Sequence, residues 1–295
     1  NWDRVRLEFG GRAEFNQLNP KDNIRSRSFS LFSASVGATW LFVDGYSVGI
    51  SATQGQRAPT AEELYSGGAH PATGTFDIGD TTLNRETSHN LDFSLSKLSG
   101  NATWKINFFY NRFNNYIFRS STDANGDGIA DRVDEDGALT FNGDFLAQNF
   151  SQTNATFFGI EAETNIALIP KSLDLRLFTD YVHAKLDNNG NIPRITPLRF
   201  GFEFNHQVDP WAANLRVTRV MCQDDVARLE TTTAGYTLLN TEISYRILPK
   251  KPNSIRIFLQ GNNLLNEEIR IHNSFIKDFV PLPGRAIVAG FRSDF

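Results

Sequence analysis

Apolar and polar residues alternate with a period of two along most of the chain, which predicts β-strands with one apolar face. Near the start, Val5, Leu7 and Phe9 alternate with Arg6 and Glu8. The same pattern recurs in about twelve segments, many of them longer than the strands of an ordinary globular sheet. The predicted strands span 4–15, 28–42, 46–54, 88–98, 102–114, 155–169, 172–183, 197–207, 211–221, 236–247, 253–262 and 285–295.

The connections between these strands alternate between short and long, so every long loop falls at one end of the sheet. The short ones are 43–45, 99–101, 170–171, 208–210 and 248–252, and the long ones are 16–27, 55–87, 115–154, 184–196, 222–235 and 263–284. Short periplasmic turns and long extracellular loops are typical of outer-membrane barrels. The predicted fold is therefore all-β, a transmembrane antiparallel up-and-down β-barrel. A soluble sandwich or lipocalin-like barrel is the alternative, since it also has amphipathic strands.

Composition and charge narrow the class of protein further. The chain has 25 Phe and 22 Gly but one Met, which favours β-structure over a helical core. Its apolar runs, such as 40–43, are much shorter than the roughly 18 residues of a membrane-spanning helix. A net charge of −4 argues against a nucleic-acid-binding protein. The single cysteine, Cys222, cannot form an internal disulfide.

Three blocks and the chain terminus resemble motifs of TonB-dependent outer-membrane receptors. The segment 56–65, QRAPTAEELY, is similar to their R-A-P-x-x-x-E-L-Y block, and 262–267, NNLLNE, is similar to their N-L-x-[DN] element. The segment 281–285, PLPGR, resembles the P-x-P-G-R block before the last strand, and a terminal Phe resembles the barrel assembly signal. The matching residues are Arg57, Pro59, Glu63, Tyr65, Asn263, Leu264, Pro283, Gly284, Arg285 and Phe295.

The resemblance implies a larger assembly than twelve strands. Such receptors have a barrel of about 22 strands, closed by a plug domain that contacts TonB. On this reading residues 1–295 are the C-terminal part of the barrel, about 12 strands, and the plug and the N-terminal strands are absent. The implied partners are outer-membrane lipid, the missing plug and strands, the TonB complex through the plug, and a metal or metal chelate. The implied location is the bacterial outer membrane, and nucleic acid is not an expected partner.

The stretches 63–77, 234–240 and 271–278 resemble the zinc-uptake, ZnuD-like branch of this family. Zinc is therefore the favoured imported metal, and His70, Glu63, Asp77 and His272 are the candidate ligands for it. Imidazole with carboxylate suits Zn²⁺, but a site needs three or four converging ligands. The chain has only 5 His, which keeps iron-siderophore or haem uptake open.

The segment 123–136, DANGDGIADRVDED, is the clearest local motif for a resident ion. Oxygen side chains at alternate positions, with glycines for a tight turn, suit Ca²⁺. Its first half matches the opening of an EF-hand loop, although loop position twelve is an aspartate and no flanking helices are expected. A calcium-binding extracellular loop is one interpretation and a solvated acidic turn is the other. The candidate ligands are Asp123, Asn125, Asp127, Asp131 and Asp134.

The chain shows no pattern of an enzyme. There is no G-x-S-x-G elbow, and Ser88-His89 cannot form a catalytic dyad by adjacency alone. No cofactor is expected to be required. The predicted function is active import of a scarce metal or metal complex with TonB energy. A self-standing 12-stranded porin or autotransporter translocator is the alternative, because an even strand number places both ends on one side of the membrane.

Overall fold

The computed structural model describes residues 4–20, 25–188, 190–247 and 254–294, and it is an all-β structure. Twelve strands form one continuous antiparallel path in which sequence neighbours pair. They are β1 (Val5–Leu18), β2 (Arg27–Val43), β3 (Tyr46–Arg57), β6 (Glu86–Lys97), β7 (Ala102–Ser121), β9 (Phe145–Ile169), β10 (Leu173–Leu186), β11 (Arg199–Val208), β12 (Trp211–Val220), β13 (Tyr236–Ile247), β14 (Ser254–Asn262) and β15 (Ala286–Asp294). The prediction of twelve up-and-down strands is confirmed.

The predicted 115–154 loop is shorter than expected, because β7 and β9 both continue into it. The alternation breaks at Asn115, which has a φ of 57°, and the register between β7 and β9 shifts between Phe113 and Tyr116. Beyond this bulge the two strands pair again, from Tyr116 with Thr153 to Ser121 with Gln148. A bulge reverses the side-chain parity of a strand, so a strict period-two reading stops there.

The long connections contain short elements that the alternation does not predict. The 58–85 connection carries helix α1 (Ala61–Tyr65) and the hairpin of β4 (Gly67–His70) and β5 (Thr75–Ile78). Strand β5 pairs in parallel with β9, and the two-residue strand β8 (Arg132–Val133) pairs with β9 as well. Among the described residues no helix could span a membrane. These additions fold the long loops over one end of the sheet.

The two faces of the main sheet differ in polarity, as the alternation predicts. One face exposes large apolar side chains, including Phe9 at 76% and Phe291 at 77% of full exposure. The opposite face carries a charged network in which Arg176 contacts Glu163 at 2.6 Å and Glu203 at 3.5 Å. An apolar outer surface and a polar interior are the arrangement of a membrane barrel wall.

Aromatic side chains gather at the end of the sheet that carries the short turns. Rings of Trp40, Phe42, Tyr46 and Trp104 follow one another with centroids 6.0–6.3 Å apart. Farther along the sheet the Trp211 and Tyr245 rings lie 4.8 Å apart. Amphipathic rings in such a row suit the membrane–water interface.

Three phenylalanines on the polar face lie across from glycines of the neighbouring strand. The pairs are Phe109 with Gly159, Phe178 with Gly201, and Phe258 with Gly290. A Cβ atom placed on any of these glycines would stand 2.5–2.6 Å from the terminal carbon of the partner ring. Each ring therefore lies flat along the wall, and only glycine leaves room for it.

The path ends at β1 and β15, which do not pair with each other within the described residues. The described sheet is thus an open wall of twelve strands rather than a closed 12-stranded barrel. A partial barrel fits this arrangement, and the long loops at its one end hold the candidate site.

Candidate functional site

The 56–65 block fastens the first long loop to the barrel wall. Arg57, at the end of β3, contacts Glu63 at 2.8 Å and Glu86 at 3.2 Å. Glu63 also closes a capping box with Thr60 at the start of α1, and Glu86 accepts the amide of Ile117 in β7 at 2.9 Å. The block therefore joins α1 to three strands, and both Arg57 and Glu63 have structural partners in it.

The remaining residues of the family motifs are also structural. Pro59 is fully buried, and the Tyr65 hydroxyl donates to the Arg25 carbonyl at 2.9 Å. Asn263 donates to the carbonyls of Glu267 and Pro283 and accepts the Glu267 amide.

The two C-terminal blocks hold each other together. The Leu264 amide donates to the Leu239 carbonyl, and the Arg285 amide donates to Asn266 Oδ1 at 3.0 Å. Gly284 leaves room beside Asn266, because a Cβ there would lie 3.0 Å from the same oxygen. Phe295 lies outside the described residues.

A cavity of about 670 Å³ opens among the long loops, and we call it the outer cavity. Its wall is formed mainly by the loop ends of β7 and β9 and by the 122–144, 187–198, 221–235 and 263–285 connections. Its volume is within the range of small-molecule sites. Five basic and two acidic side chains line it, namely Arg119, Arg132, Arg194, Arg228 and Lys277 with Glu230 and Asp278.

Most of these charges are already paired. Arg119 contacts the buried Asp77 at 2.7 Å, and Arg228 contacts Asp123 at 2.5 Å. When Asp77 and Asp123 are included, basic groups still outnumber acidic ones by one. Arg132 and Arg194 have no carboxylate of the described residues within ion-pair distance. The Arg132 side chain donates instead to the backbone carbonyls of Gly143 and Asp144, whereas the guanidinium of Arg194 lies against an aromatic ring. Burial, followed by the neighbouring charge of Arg119, lowers the pKa of Arg194.

The guanidinium groups of Arg119 and Arg194 both stack on Phe275, a residue of the 263–285 connection. Their central carbons lie 4.0 and 4.1 Å from the ring centroid. One face of a phenyl ring accommodates a single stacked guanidinium, so the ring lies between the two. We call this arrangement the Arg–Phe–Arg stack. Sequence reasoning did not identify any of its three residues.

Glu230 ties three of the long connections together behind the outer cavity. Its carboxylate accepts the amides of Arg194 at 2.9 Å and Ala227 at 3.0 Å, and lies 3.3 Å from His272 Nε2 and 3.5 Å from Lys277 Nζ. Burial raises the pKa of Glu230, but the hydrogen bonds from His272, Ala227 and Arg194 and the charge of Lys277 outweigh it and lower this pKa to about 2. Burial lowers the pKa of Lys277, opposed by Glu230.

The four candidate ligands for a substrate metal are not brought together by the structure. Glu63 binds Arg57, and Asp77 binds Arg119. His70 is exposed and lies 2.9 Å from the Thr73 hydroxyl, whereas His272 is 4% exposed and contacts Thr233 at 2.6 Å. Within the described ranges no three His, Cys, Asp or Glu side chains are placed to hold one metal ion. These four residues therefore do not form a preassembled site among the described residues, and their role as zinc ligands stays a prediction.

The acidic 123–134 loop is closed largely by its own hydrogen bonds. Asp123 Oδ2 accepts the Gly128 amide, Asp131 Oδ2 accepts the Ala124 amide, and Asn125 contacts Asp127 through side chain and backbone. Asp134 Oδ1 accepts the amides of residues 136 and 138. One oxygen, Asp123 Oδ1, is buried and has no hydrogen-bond partner. The loop therefore has one free buried ligand atom rather than a converging set.

Solved structures with the same fold come from proteins more than twice as long as this chain. The copper transporter OprC matches with a TM-score of 0.79 and 17% identity, over 98% of this chain and 46% of that one. The siderophore receptor PirA from Acinetobacter baumannii matches with a TM-score of 0.67 and 17% identity, over 99% and 44%. The iron transporter FrpB from Neisseria meningitidis (F3-3 variant) matches with a TM-score of 0.70 and 13% identity, over 99% and 43%.

A family model described as "TonB dependent receptor-like, beta-barrel" matches residues 1–264, which is most of the chain. The motif residues, the strand order and the loops at one end of the sheet agree with that match. The chain belongs to the TonB-dependent receptor β-barrel family and is a bacterial outer-membrane protein.

Proposed function

We propose that this protein is an outer-membrane receptor that imports a metal in the form of an anionic chelate. The observation that carries the proposal is the outer cavity, where basic side chains exceed acidic ones and Arg194 has no carboxylate partner. A guanidinium that is partly desolvated and unpaired attracts a ligand with negative oxygens. The transporters and receptors of similar fold are described as acting on copper, iron or siderophores, which supports a metal-related ligand.

The charges of the cavity favour a chelate over a bare metal ion. A divalent cation needs several free oxygen or nitrogen ligands, and the buried carboxylates Asp77 and Glu230 are held by Arg119 and by Lys277 with His272. An anionic chelate carries its metal already coordinated and needs only positive charge and hydrogen-bond donors from the protein. The volume of about 670 Å³ is large enough for such a molecule.

In the proposed mechanism, TonB supplies the energy for import, and a plug domain closes the barrel and contacts TonB. The polar wall around Arg176, Glu163 and Glu203 is suited to contact a polar plug, and the loops above it capture the ligand. No enzymatic step is proposed. The receptor family and the open sheet between β1 and β15 both disfavour the self-standing porin or autotransporter alternative.

The proposal is tested by direct binding and by uptake. The full-length protein in detergent is titrated with ferric and cupric chelates of negative charge, with a neutral ferric chelate and with Zn²⁺ alone, and its tryptophan fluorescence is followed. Cells that express it, with and without TonB, are then compared for growth when the same chelate is the source of metal. We expect saturable binding of an anionic chelate and TonB-dependent growth. Binding of Zn²⁺ with no binding of any chelate would contradict the proposal.

Zinc import stays a prediction from the resemblance to the zinc-uptake branch. Of its candidate ligands, His70 is exposed, whereas His272 is buried against Glu230 and Lys277. Substituting His70→Ala in the full-length protein tests this directly. A loss of zinc uptake in that variant would favour the zinc-uptake assignment, and unchanged uptake would remove His70 from it.

We also propose that the 123–134 loop binds Ca²⁺ when Arg228 is displaced. The buried, unpartnered Asp123 Oδ1 fits a hard cation, whereas the contact of Asp123 Oδ2 with Arg228 opposes it. Isothermal titration of the full-length protein should show a single chelator-reversible calcium site that is lost in Asp127→Ala. The Arg228→Gln variant should bind Ca²⁺ more tightly, because it frees Asp123. Equal calcium affinity in all three proteins would contradict the assignment.

A further inference from the structure

Two strands carry the same spacing of tryptophan and arginine on their lipid-facing side. In β7, Arg112 follows Trp104 by eight residues, and in β12, Arg219 follows Trp211 by eight residues. An even spacing keeps both residues of each pair on one face of the strand. Both tryptophans belong to the rows of aromatic rings at the short turns, and the register partner of Arg219 in β11 is the exposed Phe200. Both arginines therefore share the lipid-facing side of the wall with the tryptophans.

The spacing places both arginines at the outer edge of the apolar band, on the side of the long loops. Eight residues of strand extend about 27 Å, which at the usual tilt of about 40° corresponds to about 20 Å across the membrane. The apolar band of an outer-membrane barrel is about 25 Å tall. The exposed Tyr110, two residues before Arg112 on the same face, has the amphipathic character of an interface residue. Because arginine side chains extend toward the water, their guanidinium groups reach the level of the lipid headgroups.

Each of these arginines is linked to a threonine of the neighbouring strand. Arg112 donates to the Thr156 hydroxyl at 2.9 Å, and Arg219 donates to the Thr237 hydroxyl at 3.1 Å. In both cases the two residues are register partners, so the guanidinium and the hydroxyl lie side by side on one face. The threonine oxygen accepts from the arginine, which leaves the hydroxyl proton free to donate to a further group. Such a pair presents hydrogen-bond donors and a positive charge together, which suits a phosphate.

A carboxylate distinguishes the two pairs. Both terminal nitrogens of Arg112 donate to Asp187, although the exposed Lys185 is the next residue across the sheet from Thr156. Arg219 has no carboxylate within ion-pair distance in the part of the chain that the structure describes. The Arg112 pair is therefore partly neutralised, whereas the Arg219 pair keeps its full charge.

We propose that the Arg112–Thr156 and Arg219–Thr237 pairs bind phosphate groups of lipids in the outer leaflet of the membrane, and that the Arg219 pair is the stronger site. The occupant is a lipid because apolar side chains adjoin the charge: Phe200 lies beside Arg219, and Phe202 follows toward the membrane on the same face. Acyl chains can contact these rings, which free phosphate cannot. The pairs lie on the opposite face of the wall from the charged interior, so the inference does not depend on the imported ligand.

The test measures how tightly the full-length protein in detergent retains defined lipids, by native mass spectrometry. The lipids are diphosphoryl lipid A and the same lipid without its phosphates, and inorganic phosphate is the competitor. The diphosphoryl form should bind at least about tenfold more tightly than the form without phosphate. Arg219→Gln should weaken its binding by about fivefold to tenfold. Asp187→Asn should strengthen it by about twofold or more, because it frees Arg112.

Two further variants separate this role from general charge and from folding. Lys105→Gln removes one positive charge from the opposite, interior face of β7, where Lys105 is the register partner of Glu163. It should leave lipid binding unchanged. Arg219→Lys keeps the charge but loses the two parallel donors of the guanidinium, so it should retain part of the affinity. This variant serves if the glutamine variant does not fold.

Four results would overturn the inference. The first is equal binding of lipid A with and without phosphates. The second is an equal loss of binding in Arg219→Gln and Lys105→Gln, which would show an effect of net charge alone. The third is displacement of the lipid by millimolar inorganic phosphate, which would show that the pairs hold a free anion. The fourth is weaker binding by Asp187→Asn, which would remove the role assigned to Arg112.

Discussion

Protonation of Glu230 is expected to loosen three long loops at once. Its carboxylate accepts two backbone amides, those of Arg194 and Ala227, and lies beside His272 and Lys277. Its pKa is lowered from 4.5 to about 2 in the folded protein. A carboxylate with a lowered pKa stabilises the folded state above its unfolded pKa, and that contribution is lost as the pH falls toward the folded value. The window is therefore between about pH 4.5 and pH 2.

The expected magnitude follows from the same two pKa values. The difference between 4.5 and about 2 corresponds to about 3 kcal/mol of stabilisation at neutral pH. The Glu230 side chain is 10% exposed, so solvent screening reduces this only slightly. Replacing Glu230 with Gln removes the charge permanently and leaves the buried Lys277 unpaired, which we expect to cost about 3 kcal/mol at pH 7.

Hydrogen exchange measured by mass spectrometry is the appropriate assay, because the effect is local to the loops. Peptides that contain the amides of Arg194 and Ala227 should lose protection between pH 5 and pH 2, after correction for the intrinsic exchange rate. The Glu230→Gln variant should already be less protected at pH 7 and should show a smaller response to pH. The control is Asp278→Asn, which removes an exposed carboxylate of the same region that accepts a hydrogen bond from Thr231. It should keep the full pH response. An equal pH response in the unsubstituted protein and in Glu230→Gln would refute the reasoning.

Three further predictions concern the wall and the first long loop. Gly201→Ala should lower the free energy of unfolding, measured by denaturant titration, by about 1–3 kcal/mol. The reason is that the new Cβ would collide with the Val217 carbonyl and lie 2.6 Å from the Phe178 ring. The control is Gly11→Ala, because no atom lies within 4 Å of a Cβ placed there. Arg57→Gln should lower the free energy of unfolding by about 2 kcal/mol, because it leaves the 10%-exposed Glu86 without its cation. The matched variant is Arg246→Gln, which breaks the more exposed pair with Asp209. An equal loss of stability in the two variants would contradict this prediction. Arg57→Gln should also raise the protease sensitivity of 58–85, measured by limited proteolysis, and equal cleavage of both proteins would show that Glu63 and Glu86 hold the loop without it.

The strands were predictable from sequence because one physical rule governs each of them. A wall with lipid on one side and polar groups on the other imposes a period of two, and every predicted strand is present. The rule fails at Asn115, where a bulge changes the parity, and it is silent on β4 and β5, whose four residues are too few to show a period. The family motifs were visible in sequence, and 57–59 was expected to fix the start of a loop, but the partners Glu63 and Glu86 of Arg57 were not predicted.

The candidate site was much less predictable than the wall. Arg119, Arg194 and Phe275 are 75 or more residues apart in the chain, and no local spacing relates them. They meet because β7 and two long connections converge above the same part of the sheet. The metal-ligand hypothesis selected residues by chemical type, and the structure shows that Asp77 and His272 already have partners. An arginine in a long connection with no acidic residue nearby in sequence, such as Arg194, was the one available signal.

The three phenylalanine–glycine pairs of the polar face have a consequence for the width of the barrel interior. Phe109, Phe178 and Phe258 each lie along the wall over a neighbouring glycine instead of extending toward the barrel axis. At these three positions, the space left open in the interior therefore depends on the glycine of the neighbouring strand, which lets the ring stay against the wall. A methyl group at Gly159, Gly201 or Gly290 would collide with the neighbouring ring, which would have to move away from the wall toward the interior. Substitution of these glycines offers a way to reduce the bore stepwise while the lipid-facing surface stays unchanged.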